Sequence, residues 1–116
     1  MLERYLWACE RLDHEAILAC FTPDATLIDP TGTAVGTAEL AVYFKRIYGP
    51  LAELKFETTP AYWCGMSCAI HWKGRASHCD GTISHYSGID VFALDTQGLI
   101  RELRAFWDPA ELVASK

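Results

Sequence analysis

The hydrophobic period of this chain changes once, near residue 50, and that change limits the fold more than any single motif does. Before it, Leu2, Tyr5, Leu6, Cys9 and Leu12 recur at three- and four-residue steps, the stripe of an amphipathic helix. Asp13 is placed to cap a second short helix carrying Glu15, Ile17, Leu18 and Phe21, which makes a helical hairpin. Thr22-Pro23-Asp24 interrupts it. The alternation of Ala25, Leu27 and Asp29 against Thr26 and Ile28 then predicts a short strand, ended by Pro30-Thr31-Gly32. Thr37 is expected to cap a third helix with Leu40, Tyr43, Phe44 and Ile47 on its inner face, closing at Gly49-Pro50.

Past residue 50 the period becomes two. Strand-like runs at 52–63, 66–77, 82–94 and 99–107 are separated by Cys64-Gly65, Cys79-Asp80-Gly81 and Asp95-Thr96-Gln97-Gly98, turn compositions expected between antiparallel neighbours. Helices followed by a meander of long strands make an α+β layout. With helices packed on one face of a curved, mostly antiparallel sheet, the fold is a cone whose open end encloses a pocket, an ordinary place for a small-molecule site. The chain has 116 residues, 51% of them hydrophobic and 12% aromatic, enough for one core and too few for two. A single domain spanning 1–116 is expected, with no disulfide or metal needed to hold it.

Composition also narrows the partners. Ten Lys and Arg against fifteen Asp and Glu leave a net charge of −5, with acidic residues scattered from Glu3 to Glu111 and no basic stripe. Nucleic acid and anionic membrane are poor partners for such a surface. Apolar runs such as Ala16–Phe21 and Tyr62–Cys64 fall far short of the ~20 residues that span a bilayer. The opening Met-Leu-Glu-Arg-Tyr carries charges where a signal peptide needs its apolar region, so a cytoplasmic location is expected. Five cysteines, Cys9, Cys20, Cys64, Cys68 and Cys79, then read as reduced thiols. Cys64-x-x-x-Cys68 has no second pair at zinc spacing. His71, His78 and His85 are seven residues apart, an odd step that alternates strand faces, with a turn intervening. No G-x-S-x-G elbow occurs, and Gly32, Gly36 and Gly65 stand alone rather than in a phosphate loop. Neither a metal nor a cofactor is expected.

Three residues stand out for chemistry. Asp90 lies in Tyr86-Ser87-Gly88-Ile89-Asp90-Val91-Phe92, where both faces of the predicted strand are apolar around the carboxyl. Such an acid is either an edge or structural residue, or a carboxyl kept neutral by desolvation and able to donate a hydrogen bond. Asp29 precedes Pro30 and reads as a turn opener or a catalytic carboxylate. Tyr5 lies on the inward stripe of the first helix, a core aromatic whose hydroxyl needs a partner.

Three segments together resemble the ketosteroid isomerases, within the nuclear-transport-factor-2-like superfamily that also holds polyketide cyclases and epoxide hydrolases. They are Arg4-Tyr5-Leu6-Trp7-Ala8, then Phe21-Thr22-Pro23-Asp24-Ala25-Thr26-Leu27-Ile28-Asp29-Pro30-Thr31-Gly32, and Gly88-Ile89-Asp90-Val91-Phe92 with the run from Gly98 to Trp107. The resemblance covers nearly the whole chain. It implies a cone-shaped fold, usually dimeric through the outer sheet face, with no metal or organic cofactor. It also implies Tyr5 as oxyanion-hole tyrosine, Asp29 as general base, Asp90 as protonated oxyanion-hole acid and Trp107 as the aromatic beside the base. The chain departs from the family at Phe44, where the isomerases have a tyrosine supporting the oxyanion hole; Tyr43 is one step away on a different helical face.

The implied reaction moves a double bond into conjugation with a ketone. Asp29 would carry a proton from the α to the γ carbon while Tyr5 and neutral Asp90 donate to the dienolate oxygen, the ketosteroid-isomerase division between one ionised and one protonated carboxyl. Phe44, Tyr86, Phe92, Leu103 and Trp107 are the candidate walls of a site for a flat 3-oxo steroid or smaller unsaturated ketone. Two other readings use the same cavity: a polyketide cyclase or hydratase, and a non-catalytic ligand-binding dimeric module.

Overall fold

The structure, a computed structural model, describes residues 2–112. Helix α1 (Leu2–Glu10) buries Leu2, Tyr5, Ala8 and Cys9. It ends before Leu12, which turns the chain with φ 53°. Asp13 accepts from the Ala16 amide and caps α2 (His14–Leu18).

Phe21 does not continue α2, as the periodicity predicted. It begins β1 (Phe21–Asp29), paired with Ile100, and its ring packs edge-on to Tyr5 at 5.7 Å and against Phe44 at 5.8 Å. Tertiary packing overrides a marginal helical repeat there. Pro23 is tolerated inside the strand because the pairing shifts register between Phe21 and Thr26, so no ladder donor is needed.

After Asp29 the chain makes a hairpin that the sequence reading did not contain: β2 (Gly32–Val35) pairs antiparallel with β1, Asp29 facing Gly32. Helix α3 (Gly36–Tyr48) follows. Thr37 is not its cap; the N-cap is Val35, whose amide donates to Glu39 Oε1 at 2.9 Å. Leu40 and Phe44 are buried, with Tyr43 and Ile47 at the rim, and Gly49 closes the helix.

The predicted run 52–63 divides at Pro60 into β3 (Leu51–Thr58) and a short β4 (Tyr62–Cys64). Strands β5 (Ser67–His78), β6 (Ile83–Leu94) and β7 (Ile100–Trp107) complete one sheet of order β2-β1-β7-β6-β5-β3, with β4 on β5. All pairs are antiparallel except β1 with β7, which run parallel because the chain crosses the whole sheet between them. This is an α+β fold: the helices cover one face of a curved sheet, and a 3₁₀ turn (Pro109–Leu112) follows β7.

Candidate active site

Strand alternation builds one wall. Tyr86, Asp90 and Phe92 project from β6 into the cone while Ile89 faces out, and the register sets Asp90 between Ile70 of β5 and Ala105 of β7. Gly88 lies between Trp72 and Trp107, and a Cβ there would come within 2.8 Å of the Trp72 ring and 2.9 Å of Trp107 Cβ. The missing side chain lets both indoles close over the strand. A belt of edge-to-face rings results: Phe56 to Trp72 at 5.5 Å, Trp72 to Tyr86 at 5.1 Å, Tyr86 to Trp107 at 6.0 Å.

The helices supply the opposite wall. Tyr5, Leu6 and Cys9 of α1 and Tyr43, Phe44, Ile47 and Tyr48 of α3 close on the belt, leaving a cavity of about 30 Å³. That holds a water or two, whereas sites for drug-sized ligands run to about 300–1,000 Å³. Any larger ligand requires a wall to move.

Asp90 reaches this cavity with only 7% of its surface exposed, and burial raises its carboxyl from 3.8 to about 7. The Trp72 indole, close by, pulls the other way and is the lesser influence. That N–H is itself buried and falls short of hydrogen-bond geometry with any described group, so desolvation decides the state of Asp90. Burial also holds the Tyr5 and Tyr48 hydroxyls well above their usual range, and the Asp90 charge adds to the effect on Tyr5. Between those tyrosines lies the Cys9 thiol, pushed by burial to about 12. The two hydroxyls and the thiol remain protonated donors at neutral pH, whereas Asp90 is a neutral donor only below about 7.

Asp29 is placed differently. It ends β1, is 7% exposed and does not line the cavity. Its Oδ1 accepts from Thr31 N at 2.8 Å, Thr31 Oγ1 at 2.6 Å and Gly32 N at 3.1 Å, while Oδ2 accepts the Tyr43 hydroxyl at 2.6 Å. Burial, then Asp29, raises the Tyr43 hydroxyl. Arg46 closes the surround, donating to Thr31 Oγ1 at 3.0 Å with its guanidinium 5.6 Å from the Tyr43 ring.

Of the residues singled out from sequence, Tyr5, Phe44, Tyr86, Asp90, Leu103 and Trp107 therefore line one cavity, and Asp29 lies behind Tyr43. Phe92 does not line it: fully buried, it packs edge-on to Tyr5 at 5.6 Å. Sequence reasoning missed Trp72, Cys9 and Tyr48 as wall residues. Trp72 continues the inward alternation of Cys68 and Ile70, and Tyr48 is one helical turn past Phe44. Tyr48 thus places a phenol beside Cys9 and Tyr5, near where Phe44 lacks one. Among the described residues no cluster of His, Cys, Asp or Glu is placed to hold a metal; His78 Nε2 instead meets Ser84 Oγ at 2.7 Å.

A curved α+β cone with donors on its apolar wall defines a class of fold, and comparison with known proteins places the chain within it. The chain belongs to the SnoaL-like domain family, which it matches over residues 2–103. It is similar to the steroid Delta-isomerase of Nocardioides simplex, at 32% identity over 113 residues, 97% of this chain and 90% of that one. In structure it resembles the Delta 5-3-ketosteroid isomerase from a Mycobacterium species, with TM-score 0.79, 19% identity and coverage of 94% and 91% of the two chains. It also resembles SalBIII, an epoxide hydrolase/cyclase-like enzyme of pyran ring formation in salinomycin, with TM-score 0.82, 26% identity and coverage of 95% and 89%. No described helix is long and apolar enough to cross a membrane.

Proposed function

We propose that the protein is a ketosteroid-isomerase-like enzyme that moves a carbon–carbon double bond into conjugation with a ketone. The observation that carries this reading is Asp90: a buried carboxyl raised to about 7, sharing a largely apolar-walled cavity with the Tyr5 hydroxyl. Below that pH Asp90 is a neutral donor. Two donors aimed at a ketone oxygen stabilise the dienolate more than the ketone, because charge develops only as the α-proton leaves. Asp29 takes that proton and returns it at the γ carbon, its Oδ1 held by the Thr31–Gly32 turn so that Oδ2 alone serves as the base. Trp107, Tyr86, Leu103 and Phe44 pack the apolar body of the ligand, a 3-oxo steroid or smaller unsaturated ketone. The chemistry takes place within the substrate, so the reading uses no cofactor.

The enzyme acts as a cytoplasmic homodimer in this reading, paired through the outer sheet face where Ile89, 46% exposed, and Phe106, 58% exposed, are register partners. A second reading, a cyclase or hydratase acting on a smaller substrate, is favoured by the small cavity and by the likeness to SalBIII.

The test is growth of enone absorbance when a Δ5-3-oxo steroid is added. Asp29→Asn is expected to lower turnover by roughly two or more orders of magnitude with the fold retained. Equal turnover in the two proteins would refute the base assignment, and turnover of neither would move the reading to the cyclase class.

A further inference from the structure

Among the described residues, Tyr43 alone lines both the interior cavity and a second hollow on the outside of α3. That outer groove is about 450 Å³, bounded by the β1–β2 hairpin and α3 through Thr31, Thr33, Ala34, Val42 and Arg46. The inner cavity is about 30 Å³, so a ligand of more than a few atoms needs space from a moving wall. Tyr5, Phe44, Tyr48 and Trp72 are buried, and although Tyr86 and Phe56 also border outer hollows, of about 260 and 310 Å³, the hollow beside Tyr43 is roomier and lies next to Asp29. Tyr43 has open volume on its far side.

What holds Tyr43 inward is a closed ring of contacts. Its hydroxyl donates to Asp29 Oδ2 at 2.6 Å, Thr31 Oγ1 donates to Asp29 Oδ1 at 2.6 Å, Arg46 donates to Thr31 Oγ1 at 3.0 Å, and the Arg46 guanidinium lies over the Tyr43 ring. The oxygen of Asp29 left free by the Thr31–Gly32 turn is thus the oxygen that Tyr43 occupies.

We propose that Tyr43 is a specificity-determining cap on Asp29: a ligand enters the cavity by displacing the Tyr43 ring into the outer groove, and takes over Oδ2 with a polarised hydrogen of its own. The inference rests on the reading of Asp29 as the group that meets the ligand. Ligands that carry an acidic hydrogen at that edge replace the lost hydrogen bond, and isosteres without one do not. A hydrogen bond to a carboxylate weighs on the closed form by roughly ten- to a hundredfold, and binding through the rarer open form makes the observed rate level off at the opening rate once ligand is in excess.

The experiment is stopped-flow binding of naphthol, a flat phenol, followed by tryptophan fluorescence, with proton NMR of the ligand-free and saturated protein and thermal melts to check folding. In wild type the observed rate should level off with naphthol concentration, and Tyr43→Phe should raise the plateau about tenfold or more. The far-downfield hydroxyl proton of the short Tyr43–Asp29 bond should be present in wild type, absent in Tyr43→Phe and lost on saturation. An unchanged plateau, a hydroxyl proton that persists in the complex, or no binding by either protein overturns the proposal. Should Tyr43→Phe not fold, Arg46→Gln should raise the plateau while keeping the hydroxyl proton, and persistence of that proton in the wild-type complex still refutes the cap. None of these readouts needs turnover: a cap that behaves as described in a protein that isomerises no ketone removes only the isomerase reading. Turnover with an unaltered Tyr43→Phe removes only the cap.

Discussion

Replacing Asp90 by asparagine is expected to stabilise the protein at neutral pH while removing the acid from the cavity. The folded protein raises this carboxyl from 3.8 to about 7, so the folded state holds the proton more tightly than the unfolded chain. Stability from this group is therefore complete below about 3.8, falls as the pH climbs through the interval, and levels off once the folded carboxyl has ionised above about 7. Each pKa unit corresponds to about 1.4 kcal/mol, which makes the whole loss about 4 kcal/mol. Asparagine has nearly the same shape and cannot ionise, so the variant escapes that loss, and every other titrating group is common to both proteins. Urea melts of wild type and Asp90→Asn near pH 4 and pH 8 measure it directly. The gap should move toward the variant by about 4 kcal/mol between the two conditions, in a protein whose entire stability is of the order of 5–15 kcal/mol. A gap that stays constant, or moves toward wild type, would mean that Asp90 is an ordinary ionised residue, and its role as oxyanion donor would be withdrawn.

Two further outcomes follow from the packing. Gly88→Ala drives a Cβ against the Phe106 carbonyl and under 3 Å from Trp72 and Trp107, so it should cost about 1–3 kcal/mol in a denaturant melt and shift the tryptophan emission; a neutral effect would mean that the indoles do not close over β6. Phe106→Asp places a charge opposite Ile89 on the outer face and should give a monomer by light scattering; an unchanged mass would exclude that face as the dimer contact.

The cone was legible from residue spacing because the two hydrophobic periods agree with what each element buries: α1 presents Leu2, Tyr5 and Cys9, and β5 and β6 alternate over their full lengths. One misreading came from a contact distant in sequence, and the others from local turn and cap geometry that hydrophobic periodicity does not register. Phe21 fits a helical stripe, yet pairing with Ile100 and the Tyr5 and Phe44 rings draw it into β1. The β2 hairpin is short and largely exposed, with no alternation to announce it, and Gly32 at φ 145° is its one local signal. Thr37 loses the cap to Glu39, which reaches back to Val35.

The site divides along the same line. Asp90 could be read from β6 because an acid between Gly88 and Phe92 has no polar neighbour on its own strand, and burial is what raises its carboxyl. The Thr31 and Gly32 bonds to Asp29 are local, and the Asp-Pro-Thr-Gly run foreshadows them. The Tyr43 bond crosses fourteen positions and exists only because the β2 hairpin folds α3 back over the end of β1. An unseen hairpin therefore hid the Tyr43 contact with Asp29. The same geometry explains why Tyr43, read as off the supporting face of α3, meets Asp29, while Tyr48 one turn beyond Phe44 meets Tyr5 and Cys9. The two phenols of α3 thus divide between the two halves of the site: one beside the donors that would hold an oxyanion, one on the carboxylate that would move the proton. Under the proposed cap, a ligand that engages both halves leaves the first phenol in place and dislodges the second. That asymmetry would tie selectivity to α3 rather than to the strands that carry the two acids.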